Sequence, residues 1–159
     1  MTSILKILSN WDPLYLMSHA PDDEYSGEEQ LIEDSLLQVH NERELGLRIQ
    51  EIFTSQFDDD FKKSLEEYCE IAKRILSLEW IITVKLKGEC TYLLTGRKYK
   101  FTFKDPEISF NNMVSVVEDI FWYDEDSNEK FFYIYVLEQG EDYLVSENEI
   151  IDIKDTGNV

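Results

Sequence analysis

Up to Leu78 the apolar residues of this chain recur at intervals of three and four; beyond it they alternate with polar ones. That change dictates a helical half followed by a stranded half. The expected class is α+β: a helical domain over residues 1–78, then a small antiparallel β domain over residues 79–159. Ile4, Leu5, Ile7 and Leu8 mark a short first helix. Pro13 ends it, because its ring fixes φ and pushes Asp12 out of the α region. Ser26 and Glu29 have capping-box spacing at the head of a second helix, whose apolar side is Ile32, Leu36 and Val39. Asn41 and Glu44 repeat the signature before a third, with Leu45, Ile49, Ile52 and Phe53. The fourth carries Phe61, Leu65, Tyr68, Ala72, Ile75 and Leu76. Asp58, Asp59 and Asp60 stand ahead of it, where a helix N-terminus is partly positive. Four helices on short connections predict a bundle.

In the second half Ile82, Val84 and Leu86 alternate with polar residues, as do Tyr99, Phe101 and Phe103, so both runs predict half-buried strands. Thr95-Gly96-Arg97 suggests a hairpin turn between Tyr92-Leu93-Leu94 and Tyr99. Residues 114–123 and 131–137 predict two more strands about a polar run, and a turn at Gln139-Gly140-Glu141-Asp142 leads to Tyr143-Leu144-Val145. Glu149-Ile150-Ile151-Asp152-Ile153 closes the set. Short strands, tight turns and dense aromatics predict a small antiparallel barrel or curled sheet. The ending, from the aromatic strand through Tyr143-Leu144-Val145 to Ser146-Glu147-Asn148-Glu149-Ile150, resembles the last strands of SH3-like barrels.

Trp11-Asp12-Pro13-Leu14 and Pro21-Asp22-Asp23-Glu24-Tyr25 form a connector with an aromatic at each end, expected to fold back onto the helices. The same order ahead of an acidic helix resembles the YugE-like family of small bacterial helical proteins of unknown function, over about the first 60 residues. That resemblance implies a helical fold and no reaction.

The net charge of −19 repels nucleic acid and anionic membrane and attracts basic partners. Residues 21–60 hold thirteen Asp or Glu against two Arg, a local charge of −11, which predicts an acidic face on the second and third helices. Asp22, Asp23, Glu24, Glu28, Glu29, Glu33 and Asp34 are the expected partner-binding residues. Cys69 and Cys90 belong to no CxxC pair and are expected to be reduced thiols of a cytoplasmic protein. The first helix, with one lysine and an early break, makes neither a signal peptide nor a span.

Catalytic patterns are missing. His19 and His40 lack partners at ligand or relay spacing, and no GxGxxG, P-loop, GxSxG or HExxH occurs. Asp124, Asp126 and Asn128 begin like a calcium loop, but Glu129 replaces the required Gly and Tyr135 the bidentate Glu, so a hairpin loop is expected. Arg97-Lys98-Tyr99-Lys100-Phe101-Thr102-Phe103-Lys104 mixes bases with aromatics. On so acidic a chain it predicts a lysine-protected sheet edge rather than an RNA-binding strand.

No enzyme activity, cofactor or metal is expected. The composition points instead to an acidic interaction protein that binds a basic protein partner, as immunity proteins do for nuclease toxins. Two alternatives use the same residues differently: a DNA mimic or phage-encoded inhibitor of a host defence complex, and an SH3-like adaptor gripping a peptide through Tyr123, Tyr133 and Tyr143.

Overall fold

The computed structural model describes residues 3–14, 18, 23–56 and 63–157, apart from the side chains of Asp119 and Ile120. Its chain divides into two compact units, Met1–Glu79 and Trp80–Val159. The first holds α1 (Ile4–Trp11), α2 (Ser26–Ser35) with a 3-10 turn at Leu36–Gln38, α3 (Glu42–Gln56) and α4 (Leu65–Leu76). Each helix lies against two others in a ring, α1 on α2 and α4, α3 on α2 and α4. The predicted stripes form the core, with Ile4, Leu8, Ile32, Leu45, Phe53 and Tyr68 all essentially inaccessible. Phe61 of the predicted fourth stripe, and Asp58, Asp59 and Asp60, lie outside the described residues.

The caps differ from one another in origin. Asn41 and Glu44 act as expected: Asn41 Oδ1 accepts from the Glu44 amide at 2.8 Å, and Glu44 Oε2 accepts from the His40 amide at 3.0 Å. Ser26 and Glu29 do not form a capping box, since α2 has Tyr25 at its N-cap and no side-chain cap bond. Glu29 Oε2 instead accepts from the Leu5 amide at 2.8 Å. That amide belongs to the unpaired first turn of α1, where a carboxylate also meets the positive end of the helix dipole. Ser64 caps α4 by accepting from the Glu67 amide. Gly46 of α3 lets α4 approach closely: a Cβ there would stand 2.8 Å from Cys69 Sγ and 3.1 Å from its Cα, so a side chain would force the two helices apart.

The second unit holds β1 (Ile81–Leu86), β2 (Glu89–Leu94), β3 (Lys98–Phe103), β4 (Val114–Asp124), β5 (Glu129–Val136), β6 (Glu141–Ser146) and, after a 3-10 turn at Glu147–Glu149, β7 (Ile150–Gly157). β1 and β2 pair only with each other, through a turn in which Lys87 and Gly88 have φ of 54° and 81°. That left-handed pair matches the twist of a two-residue hairpin. The other five form an antiparallel sheet in the order β6-β5-β4-β3-β7.

The expected α+β class holds; of the barrel or curled sheet expected for the second half the barrel is excluded, and two further expectations need correction. The five-stranded sheet is open, not closed into a barrel, because its end strands β6 and β7 do not pair. The turn at Thr95-Gly96-Arg97 does not make a hairpin; it passes the chain from the two-stranded sheet to the five-stranded one. And β3 is no edge: it is hydrogen-bonded to β4 on one side and β7 on the other, so its lysines protect no free strand.

Alternation sorts the faces. On β3 and β5 the buried residues are Tyr99, Phe101 and Phe103, and Lys130, Phe132, Ile134 and Val136. Phe101 meets Phe103 and Phe132 with ring centroids 6.3 and 6.0 Å apart. Arg97, 4% exposed, ties the turn after β2 to β7: its Nε lies 3.0 Å from both Asp155 oxygens and its Nη2 lies 2.9 Å from Oδ2.

Candidate functional site

Of the seven carboxylates predicted to meet a partner, Asp22 lies outside the described residues, as does His19. Asp23 and Glu24 are exposed in the turn before α2, and Asp34 is exposed on it, accepting from Gln30 Nε2 at 3.0 Å. Glu28 is buried, at 7% exposure, while Glu29 and Glu33 are half-buried. Asp23 and Glu24 in the turn and Asp34 on α2 therefore meet solvent, while Glu29 is used inside the helical unit. Helical spacing explains the split: Glu28 shares the inward side with Ile32 and Ser35, four and seven positions on.

The described ends of the connector are tied to each other and to the helices. The Tyr25 hydroxyl donates to Asp12 Oδ1 at 2.7 Å and accepts from the Leu14 amide. Trp11 packs edge-on against Phe53 and Tyr68, with centroids 5.2 and 5.7 Å away, and its Nε1 donates to Glu67 Oε2 at 2.9 Å. Burial, then the Asp12 hydrogen bond, raises the Tyr25 phenol well above its ordinary range. Burial, aided by the Glu67 charge, pushes Tyr68 up to about 12. A phenol that holds its proton more tightly when folded stabilises the fold fully below the unfolded value near 10. That contribution is lost as pH rises through the folded value, at about 1.4 kcal/mol per pH unit for each such group. Helical CD during urea unfolding should therefore show a falling midpoint between pH 10 and 12. Tyr25→Phe with Tyr68→Phe should flatten that slope; a slope equal to the parent's would rule the two phenols out as its cause.

In the β unit a buried lysine and a buried glutamate hold the free side of β1. Lys130, 4% exposed, donates from Nζ to the Thr83 carbonyl at 2.5 Å. Its ammonium also lies 4.6 Å from the ring centre of Tyr123 and 5.2 Å from that of Phe121, within cation–π range. Glu147, 6% exposed, accepts from the Lys85 amide at 2.8 Å and from the Lys130 amide at 3.2 Å. Thr83 and Lys85 thus find side chains where a neighbouring strand would supply backbone partners. A cavity of about 310 Å³ beside them is lined by Thr83, Lys85, Cys90, Tyr123, Asn128 and Glu147. Both Glu147 oxygens are already engaged, which makes the cluster a staple between β1 and the sheet. Cys69 and Cys90 form no disulfide.

The outer face of the sheet differs in kind from the inner one. Register places Trp122 opposite Phe131, and Tyr133 opposite Leu144. Trp122 stacks on Phe131 at 5.8 Å and meets Tyr133 at 6.0 Å, yet is 42% exposed, with Leu144 at 43%. On the same face Asp124 pairs with Glu129 and Asp142 with Tyr135. Lys98, Lys100 and Lys154 occupy the β3–β7 half, with Lys100 directly opposite Lys154. The loop that begins with Asp124 is a hairpin, in which the Asn128 amide donates to the Asp124 carbonyl at 2.7 Å. Among the described residues no helix is long and apolar enough to cross a membrane, and no group of three or more His, Cys, Asp or Glu is placed to hold a metal.

A four-helix unit followed by a β unit with an exposed aromatic face defines a two-part α+β protein. The chain belongs to the family described as a domain of unknown function, DUF1871, whose model matches residues 3–91. The match takes in the helices, β1 and the first residues of β2. Neither a curated protein nor a solved structure matches the chain.

Proposed function

We propose that this chain is a non-catalytic interaction protein that binds a basic protein partner in the cytoplasm. More narrowly, it is an immunity protein that neutralises a basic toxin such as a nuclease. The net charge of −19 carries this proposal. A field of that sign speeds encounter with a cationic partner and repels nucleic acid and anionic lipid. Exposed carboxylates on both units, among them Asp23, Glu24 and Asp34 in the first and Asp124, Asp126 and Asp142 in the second, give the field contact points. Kinship of the helical unit with YugE-like proteins is part of the proposal and adds no reaction. A DNA mimic or phage-encoded inhibitor would rest on the same charge, and a neighbouring toxin gene or a phage early region separates the two.

The peptide-adaptor alternative gains one observation, that Tyr123 is 54% exposed. Its other two rings are half-buried, and Tyr143 stacks on Phe110 with centroids 4.1 Å apart. The deciding experiment is capture from the producing cell at low and high salt, followed by mass spectrometry and a toxicity assay. A basic protein should be recovered at low salt, released by high salt, and lose its toxic activity when bound. Recovery of nothing at low salt would sink the binding role.

A further inference from the structure

We infer that the β4–β6 half of the outer sheet face is the contact surface, and that it takes an arginine-bearing segment of the basic partner. This deepens the basic-partner proposal and rests on it. Three features converge there. Trp122, Phe131, Tyr133 and Leu144 form a continuous apolar patch on the face turned away from the core, since β5 alternates between buried Lys130, Phe132 and Ile134 and half-buried Phe131 and Tyr133. A sheet face that leaves Trp122 42% and Leu144 43% exposed has apolar area available for burial by a partner.

Carboxylates then bracket the patch. The Asp124–Glu129 pair sits at one end and Asp142, opposite Tyr135, at the other. Asp124 and Asp142 are exposed; Glu129 accepts a hydrogen bond from the Ser146 hydroxyl. Aromatic planes beside carboxylates suit a guanidinium, which stacks flat on a ring and offers a planar fork to an acid. A lysine ammonium, compact and strongly hydrated, uses such a surface less well.

Charge also limits the footprint. Lys100 and Lys154 face each other across β3 and β7 on the same side of the sheet. They would repel a cationic segment laid across the whole face, so the segment runs along β4, β5 and β6. Asp23, Glu24 and Asp34 then contribute to long-range attraction rather than to the contact.

The test uses the full-length chain and two short synthetic glycine-serine peptides, one with spaced arginines and one with lysines at the same positions. Amide shifts on titration locate the binding. The arginine peptide should bind about tenfold tighter than the lysine peptide, with shifts confined to β4, β5 and β6. Trp122→Ala should remove that preference, and Asp142→Lys, a change at an exposed position, should weaken binding without altering the unperturbed spectrum elsewhere. Equal affinity for the two peptides, or shifts centred on α2, would overturn this inference and leave the basic-partner proposal standing. No binding of either peptide at low salt would overturn both.

Discussion

Asp155→Ala is expected to lower the stability of the β unit by about 3 kcal/mol, the order seen when one partner of a buried ion pair is removed. For a unit of this size that is a fall in Tm of roughly 15 °C. The physical reason is the burial of Arg97, which is 4% exposed and meets both Asp155 oxygens. A guanidinium cannot discharge itself by losing a proton at neutral pH, so removal of the carboxylate leaves a charge with little water around it. The pair also joins the turn after β2 to the last strand, so the loss should loosen β7 first. The double variant Arg97→Met with Asp155→Ala removes the charge as well as its partner, and should be more stable than Asp155→Ala alone. Thermal unfolding of the three proteins decides the matter. If the double variant is no better than the single, the buried charge is not what makes the single variant costly.

Glu147→Ala should cost about 2–6 kcal/mol, because two amides lose their acceptor together and each unsatisfied buried donor costs about 1–3 kcal/mol. The amides are those of Lys85 on β1 and Lys130 on β5. Hydrogen exchange gives a readout specific to this mechanism. Both amides should be slow in the parent and fast in the variant, while amides inside the β3–β7 ladder keep their protection. Glu147→Gln retains one acceptor oxygen and turns an NH2 group toward the other amide, so it should fall between parent and alanine. Unchanged exchange at Lys85 and Lys130 would show that something else holds the edge of β1.

The elements were legible where one local pattern decides them. The apolar stripes of α1 to α4 predicted which side packs inward, and Asn41 with Glu44 predicted a cap, because both signals lie within a few residues. Ser26 and Glu29 show where such reasoning stops. Their spacing suits a capping box, but the Leu5 amide competes for the same carboxylate from 24 positions away, and spacing within α2 carries no trace of it. The alternating lysines of β3 failed differently. Alternation reports which side of a strand faces water, and it is silent on whether the strand has one neighbour or two. That Thr95-Gly96-Arg97 turns the chain was readable; that it leads to a different sheet was not.

The surfaces were the least legible part. Glu28 and Glu33 looked equivalent to Asp34 as acidic residues of a helix, yet burial separates them. Lys130 could have been found, since it shares a parity with Phe132, Ile134 and Val136 and so had to point toward the core. Its carbonyl acceptor on Thr83, 47 residues earlier, could not. The aromatic face was hidden because Trp122 and Phe131 read equally well as core residues until register set them on the outer side.

The pairing of β3 with β7 has a kinetic consequence. Lys98 and Gly157 are neighbours in the sheet although almost sixty positions separate them along the polypeptide, so the ladder closes only after a long loop has been drawn shut. Helical ridges assemble from nearby residues and emerge early during translation, whereas the sheet waits for its closing strand. Until that strand arrives, one side of β3 offers a row of unpaired peptide groups, and the nascent protein is most vulnerable to misassociation in that interval.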